Sequence, residues 1–201
     1  MSKAFWDSRY DEDGFAYGIS PNVFLSSFTA LFNTGKKVLV IGDGEGRNGV
    51  WLAEQGCDVV SVDASSVGVE KAKNLAAEKG LDIDAICVDL NAWDWPESAF
   101  DFVVVIYVHF PPDVRALLHH KIIVALKPGG QLIMESFTTE QLNYSSGGPP
   151  VLEMLYTAEM MASDFKLLEI QQLEETITEL DEGKYHRGEA AVVRLLAKKP
   201  A

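Results

Sequence analysis

The run "VLVIGDGEGRNGVWLA", residues 38–53, constrains the fold of this chain more than any other stretch. Lys37–Ile41 is a short continuous apolar run, the pattern of a parallel strand buried on both faces. Gly42, Gly44, Gly46 and Gly49 follow it. Two glycine frames compete. Gly44 to Gly49 spells G-x-G-x-x-G, the dinucleotide pattern. Gly42 to Gly46 spells the shorter G-x-G-x-G, which suits a nucleoside cofactor without phosphates. The strand ends at Ile41, so Gly42 is the first glycine of the turn. Counted from there, the dinucleotide frame needs glycine at 47, where Arg47 stands. Starting at Gly44 instead pushes Gly42 into the strand, where it weakens pairing. The shorter frame is the better supported.

Beyond the loop, strand and helix patterns alternate. The spacing predicts a helix over Arg47–Gln55 closed by Gly56 and a strand over Asp58–Val62. A helix capped by Ser65 and ended by Gly80 comes next, then a strand over Ile83–Val88. "FDFVVVIYV" (Phe100–Val108) is too apolar for a half-exposed strand. Asp113–Leu126 reads as a helix stopped by Pro128-Gly129-Gly130, and Gln131–Phe137 as a fifth strand. The alternation then ends. "YSSGGPP" (Tyr144–Pro150) is a turn-rich loop, and a short helix is expected near Thr157–Ser163. Lys166–Thr178 and Ala190–Ala197 read as two long strands joined by "ELDEGKYHRGE". No helix fits between them, so they form an antiparallel hairpin. The expected fold is α/β: a doubly wound, mostly parallel seven-stranded sheet with a C-terminal antiparallel hairpin. The expected organisation is one domain, with a helical N-terminal lid segment (1–34), a cofactor-binding core (35–137) and a substrate-side loop and hairpin (138–201).

Composition narrows the function. The formal net charge is −13, with Lys and Arg scattered along the chain. Nucleic-acid binders carry a basic face, so no nucleic-acid partner is expected. No apolar stretch approaches a membrane span, and "MSKAFWDSRYDEDGF" lacks the apolar core of a signal peptide. The expectation is therefore a cytoplasmic protein with no membrane partner, a monomer or homodimer. Cys57 and Cys87 flank apolar strand-like runs and read as buried, inert thiols. Cys and His show no metal-ligand spacing, so no metal is expected.

Two acids sit where a nucleoside would be held. Asp63 closes the second strand, where a carboxylate accepts both hydrogen bonds of a ribose diol; the alternative is a cap on the next helix. Asp89, after the third strand, can accept an adenine amine while Leu90 covers the ring; the alternative is an Asp that opens a turn. Asp43 lies within the glycine loop. These residues, with "LKPGG" (Leu126–Gly130) and the terminal hairpin, resemble the class I S-adenosylmethionine-dependent methyltransferases. The family commonly carries an acid where this chain has Val40. Asp43 is the substitute expected to meet the cofactor ammonium. "FWDSRYDEDGFAYGISPNVFL", "GEGRN", "HFPP" and "EGKYHRGEAAVVRLLA" are further similar to the tellurite-resistance and thiopurine methyltransferase-like branch. The resemblance implies the Rossmann-like methyltransferase fold and S-adenosyl-L-methionine, with S-adenosyl-L-homocysteine as product. It implies cofactor contacts at Tyr17, Gly18, Gly42, Asp43, Gly44, Gly46, Arg47, Asn48, Asp63, Ala64, Ser65, Asp89, Leu90 and Ile106.

The branch resemblance implies a small soft nucleophile as methyl acceptor, a thiol or a selenium or tellurium oxyanion. Tyr107 and His109 follow the fourth strand as catalytic candidates. His109 serves as a base or oxyanion ligand, or else bonds to backbone; Tyr107 is otherwise core. Trp6 and Arg9, with Tyr10 and Tyr17, form a lid over cofactor and substrate or pack as an N-terminal helix. Arg47 pairs with the cofactor carboxylate or is solvated. His186 and Arg187 bind an anionic substrate or sit on a solvated hairpin, and Arg194 has a weaker claim of the same kind. His119 and His120 fall on an expected surface helix with no role. Three rival readings stand beside this one: an N- or O-methyltransferase with His109 as base, a non-catalytic cofactor-binding module, and a nicotinamide-dependent reductase.

Overall fold

The computed structural model describes residues 2–201, organised as two compact units. One comprises the chain up to Trp93 together with Glu182–Lys184. The other comprises Asp94–Asp181 and Tyr185–Ala201.

In the first unit, α1 (Lys3–Tyr10) and α2 (Val23–Ser26) precede β1 (Lys37–Ile41), α3 (Arg47–Glu54), β2 (Asp58–Asp63), α4 (Ser66–Glu78) and β3 (Asp84–Cys87). β1 runs parallel to β2 in the register Lys37↔Asp58 to Ile41↔Val62, and β2 parallel to β3 from Val60↔Asp84 to Asp63↔Cys87. Val38, Leu39, Val40 and Ile41 are all buried, as a strand covered on both faces requires. Ser65 caps α4, its Oγ accepting from the Gly68 amide at 3.1 Å. β3 is a sheet edge, and its last residue, Cys87, is exposed rather than buried as expected; Cys57 is buried.

The second unit holds β4 (Phe100–Ile106), α5 (Pro112–Ala125), β5 (Leu126–Phe137), α6 (Ala158–Asp164), β6 (Glu169–Asp181) and β7 (Arg187–Lys198). β4 and β5 are parallel, with Ile106 opposite Glu135; β7 is antiparallel to both β5 and β6. The strand order is β3-β2-β1-β4-β5-β7-β6, seven strands with the antiparallel hairpin at one end.

Several boundaries differ from the sequence reading. β4 stops two residues early because Tyr107 turns into left-handed backbone (φ 56°). β5 already begins at Leu126, so "LKPGG" is a bulge within the strand rather than a loop before it. Lys199 Nζ donates to the carbonyls of Ile123 and Leu126 (2.9 and 2.7 Å), satisfying orphan groups at the end of α5. The hairpin strands run to Asp181 and from Arg187, leaving only 182–186 as the connection. β6 is an edge strand, so its outward Glu residues carry strand geometry under a loop-like composition. His119 is not on a surface: it is 1% exposed, between α5 and α6. Among the described residues no helix is long and apolar enough to cross a membrane.

Candidate functional site: the glycine loop and the end of the fourth strand

Gly42, Gly44 and Gly46 have φ of 64°, 58° and 90°, a left-handed run that L side chains avoid. Gly49 lies inside α3 with no positive φ, so the strained turn follows the shorter glycine frame. Gly42 N donates to Val62 O at 2.7 Å, which ties the start of the loop to β2.

Buried acids hold the loop in this shape. Asp63 Oδ2 accepts from Gly44 N (2.9 Å) and Oδ1 from Ser65 N (2.8 Å). Its carboxylate thereby joins the glycine loop to the β2–α4 turn, where Ala64 is exposed. Burial pushes the Asp63 pKa up to about 6, against the two backbone N–H bonds that favour the anion. Asp43 faces inward. Its oxygens accept from Gly49 N (3.1 and 3.2 Å) and from Ser61 Oγ (2.8 Å), and burial raises its pKa. A side chain at position 49 would collide with it. Asp43 is thus a strut at the helix start, which runs against its expected role toward the cofactor ammonium.

The N-terminal segment is bonded onto this loop. Glu45 Oε2 accepts from Ala16 N (2.7 Å) while Oε1 pairs with Lys71 (3.0 Å). Asn48 Oδ1 accepts from Asn22 N (2.9 Å). Trp6 stacks on Tyr10 at 5.6 Å, and Arg9 donates to Tyr17 Oη at 3.2 Å. Ser65 Oγ also bonds Asp7 of α1 (2.7 Å). Gly18, at φ 69°, packs beside Gly183.

Arg47 is neither solvated nor open on all sides. It is 7% exposed, and its Nη2 pairs with Glu182 at 2.8 Å. Its Nη1 is buried with no hydrogen-bond partner among the described residues. Glu182 also accepts from Asn22 Nδ2 (3.1 Å). The sequence reading missed Glu182, which lies 135 positions away from Arg47 and carries no local signal. It missed Glu45 although that residue sits inside the motif. At the end of β3, Asp89 is exposed and opens a turn, its Oδ1 accepting from Asn91 N (3.0 Å); Leu90 is half-buried.

In the second unit the candidates gather after β4, behind buried Ile106. His109 Nδ1 lies 2.7 Å from Met154 O, and Nε2 accepts from Phe137 N at 3.2 Å. The ring is therefore the neutral Nδ1–H tautomer, spanning two backbone groups. Burial lowers its pKa to about 4. With its lone pair already used, His109 takes the backbone-bonded arrangement, the second of its two expected readings, and acts as a brace. Tyr107 stacks on Phe137 (4.6 Å) and donates Oη–H to Glu135 Oε1 (2.6 Å). Arg194 pairs with Glu135 Oε2 (2.5 Å), so it faces a buried acid rather than an open anion site. His186 is buried, 4.7 Å from the Tyr107 ring, which corrects its placement on a solvated hairpin. Arg187 is 78% exposed and meets Asp181 at 3.4 Å, as a solvated hairpin would have it. Glu135 was also missed, because an acid inside an apolar strand run gives no pattern of its own.

Comparison with known proteins bears on this geometry. Residues 38–130 match a family model described as a methyltransferase domain. Over that stretch the chain is similar to methyltransferase domains. Among curated proteins it is similar to a ubiquinone biosynthesis O-methyltransferase of Idiomarina loihiensis. The two are 33% identical over 56% of this chain and 45% of that protein. It is also similar to a probable thiol methyltransferase of Arabidopsis thaliana, 31% identical over 57% of this chain and 50% of that one. The chain spans about half the length of the curated relatives it matches. Among solved structures, TehB of Haemophilus influenzae superposes with a TM-score of 0.74 at 18% identity, covering 98% of this chain and 66% of that one, a likeness of fold.

Proposed function

We propose that this chain transfers the methyl group of S-adenosylmethionine to a small soft nucleophile, a thiol or a selenium or tellurium oxyanion. The observation that carries the reading is the left-handed glycine turn clamped by Asp63 at the end of β2. A Cβ at Gly44 or Gly46 would meet Tyr10 or Ala72 below 3 Å, so only bare backbone keeps this cradle. The second lone pairs of Asp63 suit the ribose hydroxyls, and Asp89 with Leu90 suits the adenine. The free Nη1 of Arg47 suits the cofactor carboxylate. When bound, the cofactor supplies a methyl group already activated on a sulfonium. The protein's share is then alignment and exclusion of water.

The acceptor class is supported by two features. His109 offers no free base, so an acceptor that ionises readily is favoured over a hydroxyl. One relative is named as a thiol methyltransferase, and a structural neighbour is TehB. Calorimetry with S-adenosylhomocysteine and with a nicotinamide dinucleotide tests the cofactor. Tight binding of the dinucleotide alone refutes the reading. Methyl release measured against a thiol, selenite and tellurite tests the acceptor, and cofactor binding without turnover on any of them favours a binding module.

A further inference from the structure

In the first unit a buried phenol is packed against the glycine loop. Lys3, Asp7 and Tyr10 fall at helical spacing on one face of α1, the face that meets α4. Asp7 Oδ1 accepts from Ser65 Oγ (2.7 Å) and Lys3 Nζ donates to Ser66 Oγ (2.9 Å), which fixes α1 at the start of α4. On the same face Tyr10 is 5% exposed, with Trp6 stacked on it and Tyr17 edge-on at 6.4 Å. Two glycines make room for its ring. A Cβ at Gly68 would stand 2.9 Å from Tyr10 Cδ2, and one at Gly44 would stand 2.5 Å from Tyr10 Oη. Gly68 lies in α4 without positive φ, where glycine weakens a helix relative to alanine, so its presence there answers to packing. Among the described residues Tyr10 Oη has no hydrogen-bond partner, and it is not one of the sealed polar atoms, so its tip opens outward. Burial, and after it the nearby Asp63, pushes the Tyr10 pKa well above the usual phenol value, which keeps the proton on the oxygen.

We infer that Tyr10 is a cofactor-binding residue whose hydroxyl donates to a ribose hydroxyl, an assignment that rests on the cofactor reading above. Gly44 lies between two complementary groups. Asp63 Oδ2 accepts from its amide (2.9 Å), and Tyr10 Oη stands where its side chain would be. Each Asp63 oxygen keeps a second lone pair beside its one backbone N–H. The glycine turn thus presents an acceptor and a donor side by side. A hydroxyl group satisfies both at once, giving its proton to Asp63 and its lone pair to Tyr10. An ether oxygen satisfies the donor alone, and a C–H satisfies neither. The pair therefore selects for a sugar hydroxyl on the ligand. Tyr10 takes no part in methyl transfer, and Lys3 and Asp7 position it by holding α1 on α4.

The test is calorimetry with S-adenosylhomocysteine and its 2′-deoxy and 3′-deoxy analogues on wild type and Tyr10→Phe. The substitution keeps the ring and its packing. It is expected to weaken S-adenosylhomocysteine binding about fivefold, the scale of one neutral hydrogen bond. On one of the two deoxy analogues it should change affinity by less than about twofold, because the hydroxyl that Tyr10 serves is gone. Without ligand, the urea unfolding midpoint of Tyr10→Phe should not fall, since the lost oxygen leaves no partner in the chain unpaired. A further readout is the spectrum of carbon-labelled tyrosine, in which S-adenosylhomocysteine should move the resonance that is missing from Tyr10→Phe. Unchanged affinity in Tyr10→Phe, the same loss on all the ligands, an unmoved resonance or a fallen midpoint each overturns the Tyr10 assignment alone. Wild-type protein that binds none of these ligands overturns the cofactor reading and the assignment with it.

Discussion

Asp63 gives the cofactor cradle a pH dependence whose sign and size follow from its surroundings. Its carboxyl is 8% exposed, and burial raises its pKa to about 6. A ribose diol donates two hydrogen bonds and so binds the carboxylate in preference to the acid. Binding therefore draws on the ionised fraction, roughly nine-tenths near pH 7 and roughly one-tenth near pH 5 for a group titrating at 6. Affinity for S-adenosylhomocysteine is expected to fall about tenfold between those pH values, about 1.4 kcal/mol. In Asp63→Asn the slope disappears, and affinity at neutral pH drops by about 1–3 kcal/mol. Isothermal titration across this range reads both effects. The same shift acts on the ligand-free fold. A carboxyl whose folded pKa lies above its unfolded one contributes stability fully present below the unfolded value and lost as pH rises through about 6. Cofactor product and acid thus stabilise the cradle over opposite ends of the range. Affinity that is flat with pH in the wild type, or a slope that survives Asp63→Asn, would refute the ribose role.

Other outcomes follow from the remaining contacts. Removing one partner of the buried Arg47–Glu182 pair, as in Glu182→Leu, should cost about 3–5 kcal/mol in denaturant unfolding, and adding Arg47→Met should recover most of it. His109 has a folded pKa near 4, so its contribution to stability is full above the unfolded value and lost as pH falls through 4. The acid-side loss, about 3 kcal/mol, should be smaller in His109→Gln, and the pH profile of methyl transfer should keep its shape in that variant. Lys199→Met uncaps the end of α5 and should lower stability by about 1–2 kcal/mol on thermal unfolding, with S-adenosylhomocysteine affinity unchanged.

Much of this architecture was legible because it rests on local rules. The Val38–Ile41 run, the alternation of strands with crossover helices and the Ser65 cap are short-range patterns, and each appears where the periodicity put it. The shorter glycine frame was readable because Arg47 occupies the place a dinucleotide glycine would need. What sequence could not show was which distant groups meet the motif residues. Asp43 looked like an open carboxylate, but Ser61 and the α3 amide claim both of its oxygens. Arg47 looked free until Glu182 came to it from 135 positions away. His109 read equally as a base or as a ring bonded to backbone, and only the fold shows Met154 and Phe137 taking both ring nitrogens.

The sequence by itself determined the order of elements, the glycine turn and the acid at the end of β2, because strand burial, helix capping and left-handed backbone are decided within a few residues. Only the tertiary structure decided the protonation and freedom of the site's charged groups. Those depend on desolvation and on hydrogen-bond partners that the chain brings from afar, and Glu135, sunk in β5 between Tyr107 and Arg194, shows how little of that is written locally.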